Sequence, residues 1–365
     1  MTTAAEPQRV LIMAGGTGGH VVPALSLARA LQAEGVEVHW LGTPRGIENT
    51  LVPKAEIPLH HVSVSGLRGN GVAGWLKAPL RLGRAVLEAR RLIRKLDVRL
   101  VVGLGGFASG PGGLAARLVG VPLIIHEQNA VAGMTNRCLA RLAQRVYAAF
   151  PGAFPSAVTP EVIGNPVRPE IAAVGEHPRE RHDLDNRPLH VLVMGGSLGA
   201  VALNERLPEA IARFAPEIRP VIRHQAGRNK EEATRERYDA FGVEAEVSAF
   251  IEDMAACYDW ADLVICRSGA LTVTELAAAG KPALLVPFPH AVDDHQTTNA
   301  RYLVDGGGAR LIQQRDMSVE ALYALLVELL CPSVLASMAH RARDKAQLEA
   351  VTIMTRGCME IGFEH

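Results

Sequence analysis

One pattern occurs twice in this chain and limits its fold more than anything else. Val10-Leu11-Ile12-Met13 is a continuous apolar run, followed by Gly15-Gly16-Thr17-Gly18-Gly19-His20 and by helix-forming sequence from about Val22 to Glu34. The pattern returns 180 residues later as His190-Val191-Leu192-Val193-Met194, Gly195-Gly196-Ser197-Leu198-Gly199-Ala200 and a helical stretch from Ala202 to Ala212. A strand that is apolar at every position is buried on both faces, as in a parallel sheet covered by helices. The glycines allow close backbone approach to a phosphate-like group at the following helix start. Two such openings in 365 residues, at roughly 150 residues per domain, predict two Rossmann-like α/β halves in tandem.

The most informative loop lies in the second half. Ala261 to Ile265 reads as a buried strand, and Cys266-Arg267-Ser268-Gly269 leads into Ala270-Leu271-Thr272-Val273-Thr274-Glu275 and a helix that stops at Gly280. A strand, a short Ser-Gly loop and a helix start form an anion site, because unpaired N–H groups and the positive dipole end converge there. Glu275 falls beside Thr272 by i, i+3 spacing and suits two vicinal hydroxyls such as those of a ribose. A nucleoside diphosphate is the ligand expected; the plain alternative is a carboxylate favouring a helix N-terminus.

In the first half, His20 sits at a helix start, where the dipole disfavours imidazolium and leaves a group able to accept a proton. A capping or packing histidine is the equal alternative. Pro122 to Ile125 reads as a strand that delivers His126-Glu127-Gln128-Asn129 at its C-terminal end, where open α/β sheets place ligand groups. Between them, Gly103-x-Gly105-x-x-Ala108 fits a dinucleotide fingerprint with Glu127 downstream. It follows a later strand than the first, and Pro111, Gly112 and Gly113 lengthen the loop, with helix expected from Leu114 to Leu118. Gly195-x-Ser197-x-Gly199, with Asp293 and His295 beyond, fits a hydrolase elbow in form only. Asp183-Leu184-Asp185 lies in a charged linker and reads as solvated surface. Helix is expected over Arg137 to Arg145 and a closing strand over Val146 to Phe150.

Residues 66–99 differ in character. A glycine-rich loop, Gly66 to Gly74, precedes Trp75, Leu76, Leu80, Val86, Leu92, Ile93 and Leu96 at roughly helical spacing. Lys77, Arg81, Arg84, Arg90, Arg91, Arg94, Lys95 and Arg99 interleave with them. Such a segment suits a membrane surface, or is a crossover helix with a basic face. No apolar run is long enough to span a bilayer, and Met1 to Gln8 lacks a signal-peptide layout. The 38 basic and 38 acidic residues balance, which gives no reason to expect nucleic acid. Cysteines 138, 257, 266, 331 and 358 show no C-x-x-C spacing and read as thiols of a reducing compartment.

Taken together, Gly15–His20, Gly103–Gly113, His126–Ala130, Gly195–Ala200, Ala270–Glu275 and Asp294–Ala300 resemble the MurG family in identity and order over nearly the whole chain. That family is the bacterial N-acetylglucosaminyltransferase that converts lipid I to lipid II in peptidoglycan synthesis. The resemblance implies the GT-B fold, two Rossmann-like domains with parallel sheets facing across a cleft. It implies an acceptor- and membrane-side domain over 1–164, with the last helix, about 343–365, returning to it. A UDP-GlcNAc domain over 165–342 completes the chain. Donor contacts fall on Thr17, Gly18, Gly19, Asn129, Arg168, Ser197, Ile251, Ala270, Leu271, Thr272, Val273, Thr274, Glu275 and Gln296. Ile251 would pack on uracil, and Glu275 would accept from ribose. Arg168, Ser197 and the 269–272 backbone would hold the diphosphate, and Asn129 with Gln296 would read the sugar. The Gly15–Gly19 turn would take the acceptor's pyrophosphate.

The expected partners are UDP-GlcNAc, lipid I, the cytoplasmic face of the cell membrane through residues 75–95, and other cell-wall synthesis proteins. The expected location is peripheral on that membrane face. No cofactor and no protein-bound metal is expected. His20 is the first choice of base and Glu127 the second, with attack by the muramyl 4-hydroxyl and inversion at the anomeric carbon. Three positions depart from the family pattern: Phe107 for a tyrosine, Leu198 for a glutamine, and His295 for the first of two glutamines. The rivals are another GT-B enzyme, such as a sugar-nucleotide epimerase or a glycolipid glycosyltransferase, and a non-catalytic nucleotide-sugar-binding module.

Overall fold

A computed structural model describes residues 8–64, 71–177, 180–185, 187–196 and 199–363, with side chains from Ala78 onward in the segment that opens at 71. By contact the chain divides into two units, Met1–Pro166 with Leu348–His365, and Val167–Gln347.

The first unit holds a seven-stranded sheet in the order β3-β2-β1-β4-β5-β6-β7. Its strands are β1 (Arg9–Met13), β2 (Glu37–Gly42), β3 (Leu59–His61), β4 (Leu100–Gly103), β5 (Leu123–Glu127), β6 (Arg145–Ala148) and β7 (Glu161–Val162). All pairings are parallel, with Ile12 of β1 opposite Trp40 of β2 and Val102 of β4. The apolar runs are explained by burial on both faces. Val10 and Ile12 enter one cluster with Leu27, Leu31 and Trp40, while Leu11 and Met13 enter another with Leu41, Ala85 and Ile93. Alternate side chains of one strand thus feed two cores. The C-terminal helix, Ala350–Gly362, packs on the Gly18–Ala33 helix through the first cluster, which takes Ala350, Met354 and Cys358. Arg145 ties it further by donating to Glu360 at 2.8 Å.

The second unit repeats the topology with six strands in the order β10-β9-β8-β11-β12-β13. These are β8 (His190–Met194), β9 (Val221–Gln225), β10 (Ala245–Ser248), β11 (Leu263–Cys266), β12 (Ala283–Leu285) and β13 (Ala309–Leu311). In each sheet the order reverses beside the first strand, so the ends of β1 and β4, and of β8 and β11, flank a topological switch point. Among the described residues no single helix is long and apolar enough to cross a membrane. Val319–Leu329 with Pro332–Arg343 would pass by length and composition, but the pair bends by 85° and its apolar side lies in the core of this unit.

Several local expectations are corrected. The helix after the first glycine turn runs Gly18–Ala33 and begins at Gly18, so His20 lies in its first turn. The Ser109–Val119 helix takes in Pro111, Gly112 and Gly113, which read as loop. They are glycines because of packing: a Cβ on Gly112 would strike the Met13 sulfur, and one on Gly113 would lie 2.6 Å from Leu139. Helix begins at Gly71, inside the stretch read as loop, while 65–70 lie outside the described residues. The stretch from Arg137 to Arg145 is helical only to Leu139, and Arg145 already belongs to β6, which ends at Ala148. In the charged linker, Arg181–Leu184 is a short helix that Glu180 and Asp183 cap reciprocally.

Candidate active site

At the switch point of the second unit lies a cavity of about 210 Å³. Its apolar wall is Met194, Phe250, Ile251, Met254 and Cys266, and its polar lining is Gln225, Tyr258, Arg267, Thr272 and Glu275, with Gly196 at the glycine turn. Thr272 and Glu275 share the cavity face of the Ala270–Ala278 helix, whose first amides open beside them. Glu275 accepts from Arg168 Nη2 at 3.1 Å and from the Tyr258 hydroxyl at 3.2 Å. Burial raises the Glu275 carboxyl above its ordinary value, and Arg168 and Tyr258 pull it back down. Burial also pushes the Cys266 thiol up to about 12, so it lines the cavity as a neutral apolar group. The Ser268 hydroxyl, buried at the turn, has no hydrogen-bond partner among the described residues.

Each unit clamps its first glycine turn in the same way. Gly16, at φ +91°, donates to Glu48 Oε2 at 2.9 Å, and Gly196, at φ +80°, donates to Gln225 Oε1 at 3.0 Å. Glu48 is fully buried, and its other oxygen accepts from the Thr43 amide and hydroxyl. Gln225 also donates to Gly196 O and Ala249 O. One residue of each turn, Gly16 and Gly196, is thus tied to a buried side chain of its own unit.

At the switch point of the first unit, the loop after β4 lies directly on the glycine turn. A Cβ on Gly106 would stand 2.5 Å from Gly15 O, and one on Gly105 would stand 2.7 Å from His20 Nδ1. Both glycines have positive φ, +99° at Gly105 and +86° at Gly106. His20 Nδ1 lies 2.9 Å from Gln128 Oε1. Glu127 behaves differently from a free base. One of its oxygens accepts from the Asn129 amide and side chain, and the other from Gly133 N and Asn136 Nδ2. With four N–H donors on two oxygens it organises the 127–136 loop, and Asn129 is what it positions.

The predicted residues therefore sort as follows. Ile251, Thr272 and Glu275 line one cavity, with Arg168 on Glu275. Ala270 and Leu271 give the helix start its first amides. Val273 is fully buried and Thr274 bonds back to Ala270 O, and neither is among the residues that line the cavity. Gln296 accepts from Phe288 N at 2.9 Å and holds the loop after β12. Thr17, Gly18 and Gly19 open the Gly18–Ala33 helix near His20, in the same unit as Asn129 and Glu127. Ser197 and Leu198 lie outside the described residues. Glu48, Gln225 and Tyr258 were not singled out from the sequence. Their signal is contact with a turn or helix far away in the chain, and no local pattern carries it. Among the described residues no group of three or more His, Cys, Asp or Glu could hold a metal ion.

Two doubly wound parallel sheets, each with a glycine turn after its first strand, and a cavity against a helix start define a GT-B glycosyltransferase. Residues 10–148 match the glycosyltransferase family 28 N-terminal domain, and residues 190–353 match the family 28 C-terminal domain. The chain belongs to that family, and within it to the UDP-N-acetylglucosamine–N-acetylmuramyl-(pentapeptide) pyrophosphoryl-undecaprenol N-acetylglucosamine transferases, or MurG proteins. It is 66% identical to the transferase of Chromohalobacter salexigens over 97% of each chain. It is 58% identical to that of Pseudomonas aeruginosa over 96% of this chain and 98% of the relative. The crystal structure of Acinetobacter baumannii MurG matches with a TM-score of 0.85 at 45% identity, covering 97% of this chain and 100% of that one.

Proposed function

We propose that this chain moves N-acetylglucosamine from UDP-N-acetylglucosamine to the muramyl 4-hydroxyl of lipid I, forming lipid II for peptidoglycan synthesis with inversion at the anomeric carbon. The observation that carries the reading is the cavity of the second unit. It joins an apolar wall for a base at Ile251, a carboxylate for ribose hydroxyls at Glu275, and helix amides for phosphate at Ala270 to Thr272. The second unit is thus the donor domain, and the first, with its C-terminal helix, is the acceptor domain.

In the reaction the acceptor oxygen bonds to the anomeric carbon as the bond to UDP breaks. The hydroxyl proton passes to His20, and the charge that develops on UDP is met by the amides at the helix start, with Arg168 and Ser197 as further contacts. Thr17, Gly18 and Gly19 take part of the ligand carried by the first unit, and Asn129 and Gln296 read sugar hydroxyls.

The chain works at the membrane surface. In the Gly71–Lys95 helix, Ala85, Val86, Ala89 and Ile93 face the core, while Leu80, Leu82 and Leu87 are exposed among Arg81, Arg84 and Arg91. Exposed leucines set among arginines suit an anionic interface. Binding to anionic vesicles should fall in Leu80→Glu and Leu87→Glu, and unchanged binding would remove this part of the reading.

The test of the activity is UDP release from UDP-N-acetylglucosamine, with and without a lipid I analogue, in EDTA and then with magnesium. Acceptor-dependent release supports transfer. Release without acceptor, or an epimerised sugar, would replace it with epimerase chemistry, and binding without release would leave a binding module.

A further inference from the structure

We infer that Gln128, held by His126, fixes the tautomer of His20 so that His20 presents Nε2 as its proton acceptor. The inference rests on the proposed role of His20 as the base, and it assigns two positioning residues to that role.

The argument runs outward from the core. His126 is fully buried, and its Nε2 lies 2.9 Å from Gly164 O. A carbonyl oxygen only accepts, so that nitrogen carries the hydrogen. Burial lowers the His126 imidazolium to about 4, so near neutrality the ring is uncharged and Nδ1 is bare. Gln128 Nε2 lies 3.1 Å from that bare Nδ1 and 3.3 Å from His126 O. Two acceptors at one end of a carboxamide fix which end is the NH₂ group, a choice that geometry alone leaves ambiguous. Gln128 Oε1 therefore faces His20 Nδ1 at 2.9 Å, and it can only accept. His20 Nδ1 must carry the hydrogen, which leaves the lone pair of the neutral ring on Nε2.

The relay has little room to relax. Gln128 is 1% exposed, and its own carbonyl accepts from Asn165 Nδ2 at 3.1 Å. On the other side, Gly105 lies so close to the ring that any Cβ would collide with Nδ1. Among the described residues no hydrogen bond is made to His20 Nε2. Neither His126 nor Gln128 need touch a substrate; their effect is on which nitrogen of His20 is basic.

The test is ¹⁵N NMR of histidine-labelled protein, with the His20 signals assigned by difference from His20→Gln. The expected result is protonated Nδ1 and bare Nε2 in the neutral wild type. In Gln128→Met that preference should be lost, with kcat for transfer lowered roughly 10- to 100-fold, within the span of general-base effects, and KM for UDP-N-acetylglucosamine unchanged. A purely structural role for Gln128 would not move the tautomer. Protonated Nε2 in the wild type, or an unchanged tautomer in Gln128→Met, overturns the inference. The wild-type spectrum decides by itself if the variant does not fold. Full turnover by His20→Ala would refute the base assignment while leaving the tautomer measurement intact, so the two failures are distinguishable.

Discussion

Arg168 and Glu275 meet as an ion pair, guanidinium Nη2 to carboxylate Oε1 at 3.1 Å, beside the cavity of the second unit. The second carboxylate oxygen takes the Tyr258 hydroxyl. A carboxylate has about four acceptor sites on its two oxygens, so this one can still receive a vicinal diol. Burial raises the Glu275 carboxyl, and Arg168 is the largest influence holding it down. The arginine thereby favours the charged form of the group on which the proposed ribose contact depends.

Replacing Arg168 by methionine should therefore weaken UDP binding in a pH-dependent way. Without the guanidinium the Glu275 carboxyl rises further, and a protonated carboxyl offers fewer acceptors to two hydroxyls. The expected loss is about tenfold at neutral pH, on the order of 1.4 kcal/mol, and larger at pH 6 than at pH 8. Calorimetric titration with UDP at three pH values measures it. An equal loss at every pH would make Arg168 a phosphate contact alone.

Gly106 and Gly120 both adopt positive φ, +86° and +79°, but only Gly106 has backbone against it. Gly120 ends the Ser109–Val119 helix with open space where a Cβ would lie. Gly120→Ala should lower stability by about 1 kcal/mol, the left-handed penalty. Gly106→Ala adds a clash with Gly15 O and should lower it by roughly 3 kcal/mol or more, with loss of activity. Urea unfolding of both variants compares them. Equal losses would mean that the loop can withdraw from the glycine turn.

How much of this was legible in the chain follows from where the information sits. Val10 to Met13 and His190 to Met194 announce buried parallel strands because every residue is apolar, and β1 and β8 fall there. Leu59–His61 and Glu161–Val162 are short strands at the sheet edges, too polar and brief to stand out. Gly112 and Gly113 misled because glycine is a turn signal when read locally, whereas here Met13 and Leu139 exclude side chains. Thr272 and Glu275 were visible because their spacing is the helix period. Glu48 and Gln225 were not, because each acts on a glycine about 30 residues earlier in the chain.

Acid should destabilise both units through buried histidines. Burial lowers His126 to about 4 in the first unit and His224 to about 3 in the second, both from an ordinary 6.5. The unfolded chain takes up these protons below 6.5, while the folded chain resists until the lower value. Stability is thus retained above 6.5 and lost as pH falls toward 4, by roughly 2 kcal/mol per histidine at pH 5. His224→Gln, which forgoes bonds to Tyr238 and Asn204, should unfold earlier at pH 7.5 yet lose less on acidification. Thermal unfolding from pH 7.5 to 5 follows it, and a slope as steep as that of the wild type would show that His224 charges inside the fold.

The Ala270–Ala278 helix permits a sharper test of the donor site, because two threonines two residues apart face opposite ways. Thr272 lines the cavity beside Glu275, and Thr274 is buried with its hydroxyl on Ala270 O at 2.9 Å. Valine at either position keeps the shape and removes the hydroxyl. Thr272→Val should raise the UDP-N-acetylglucosamine KM about three- to tenfold, the loss of one hydrogen bond of roughly 1 kcal/mol, with little change in stability. Thr274→Val should leave KM unaltered, since the hydroxyl is buried on Ala270 O and is not part of the cavity lining. Steady-state kinetics with a lipid I analogue, beside thermal unfolding of the same preparations, separates the two effects. A raised KM in Thr274→Val with none in Thr272→Val would rotate the helix face away from the cavity, and with it the assignment of Glu275.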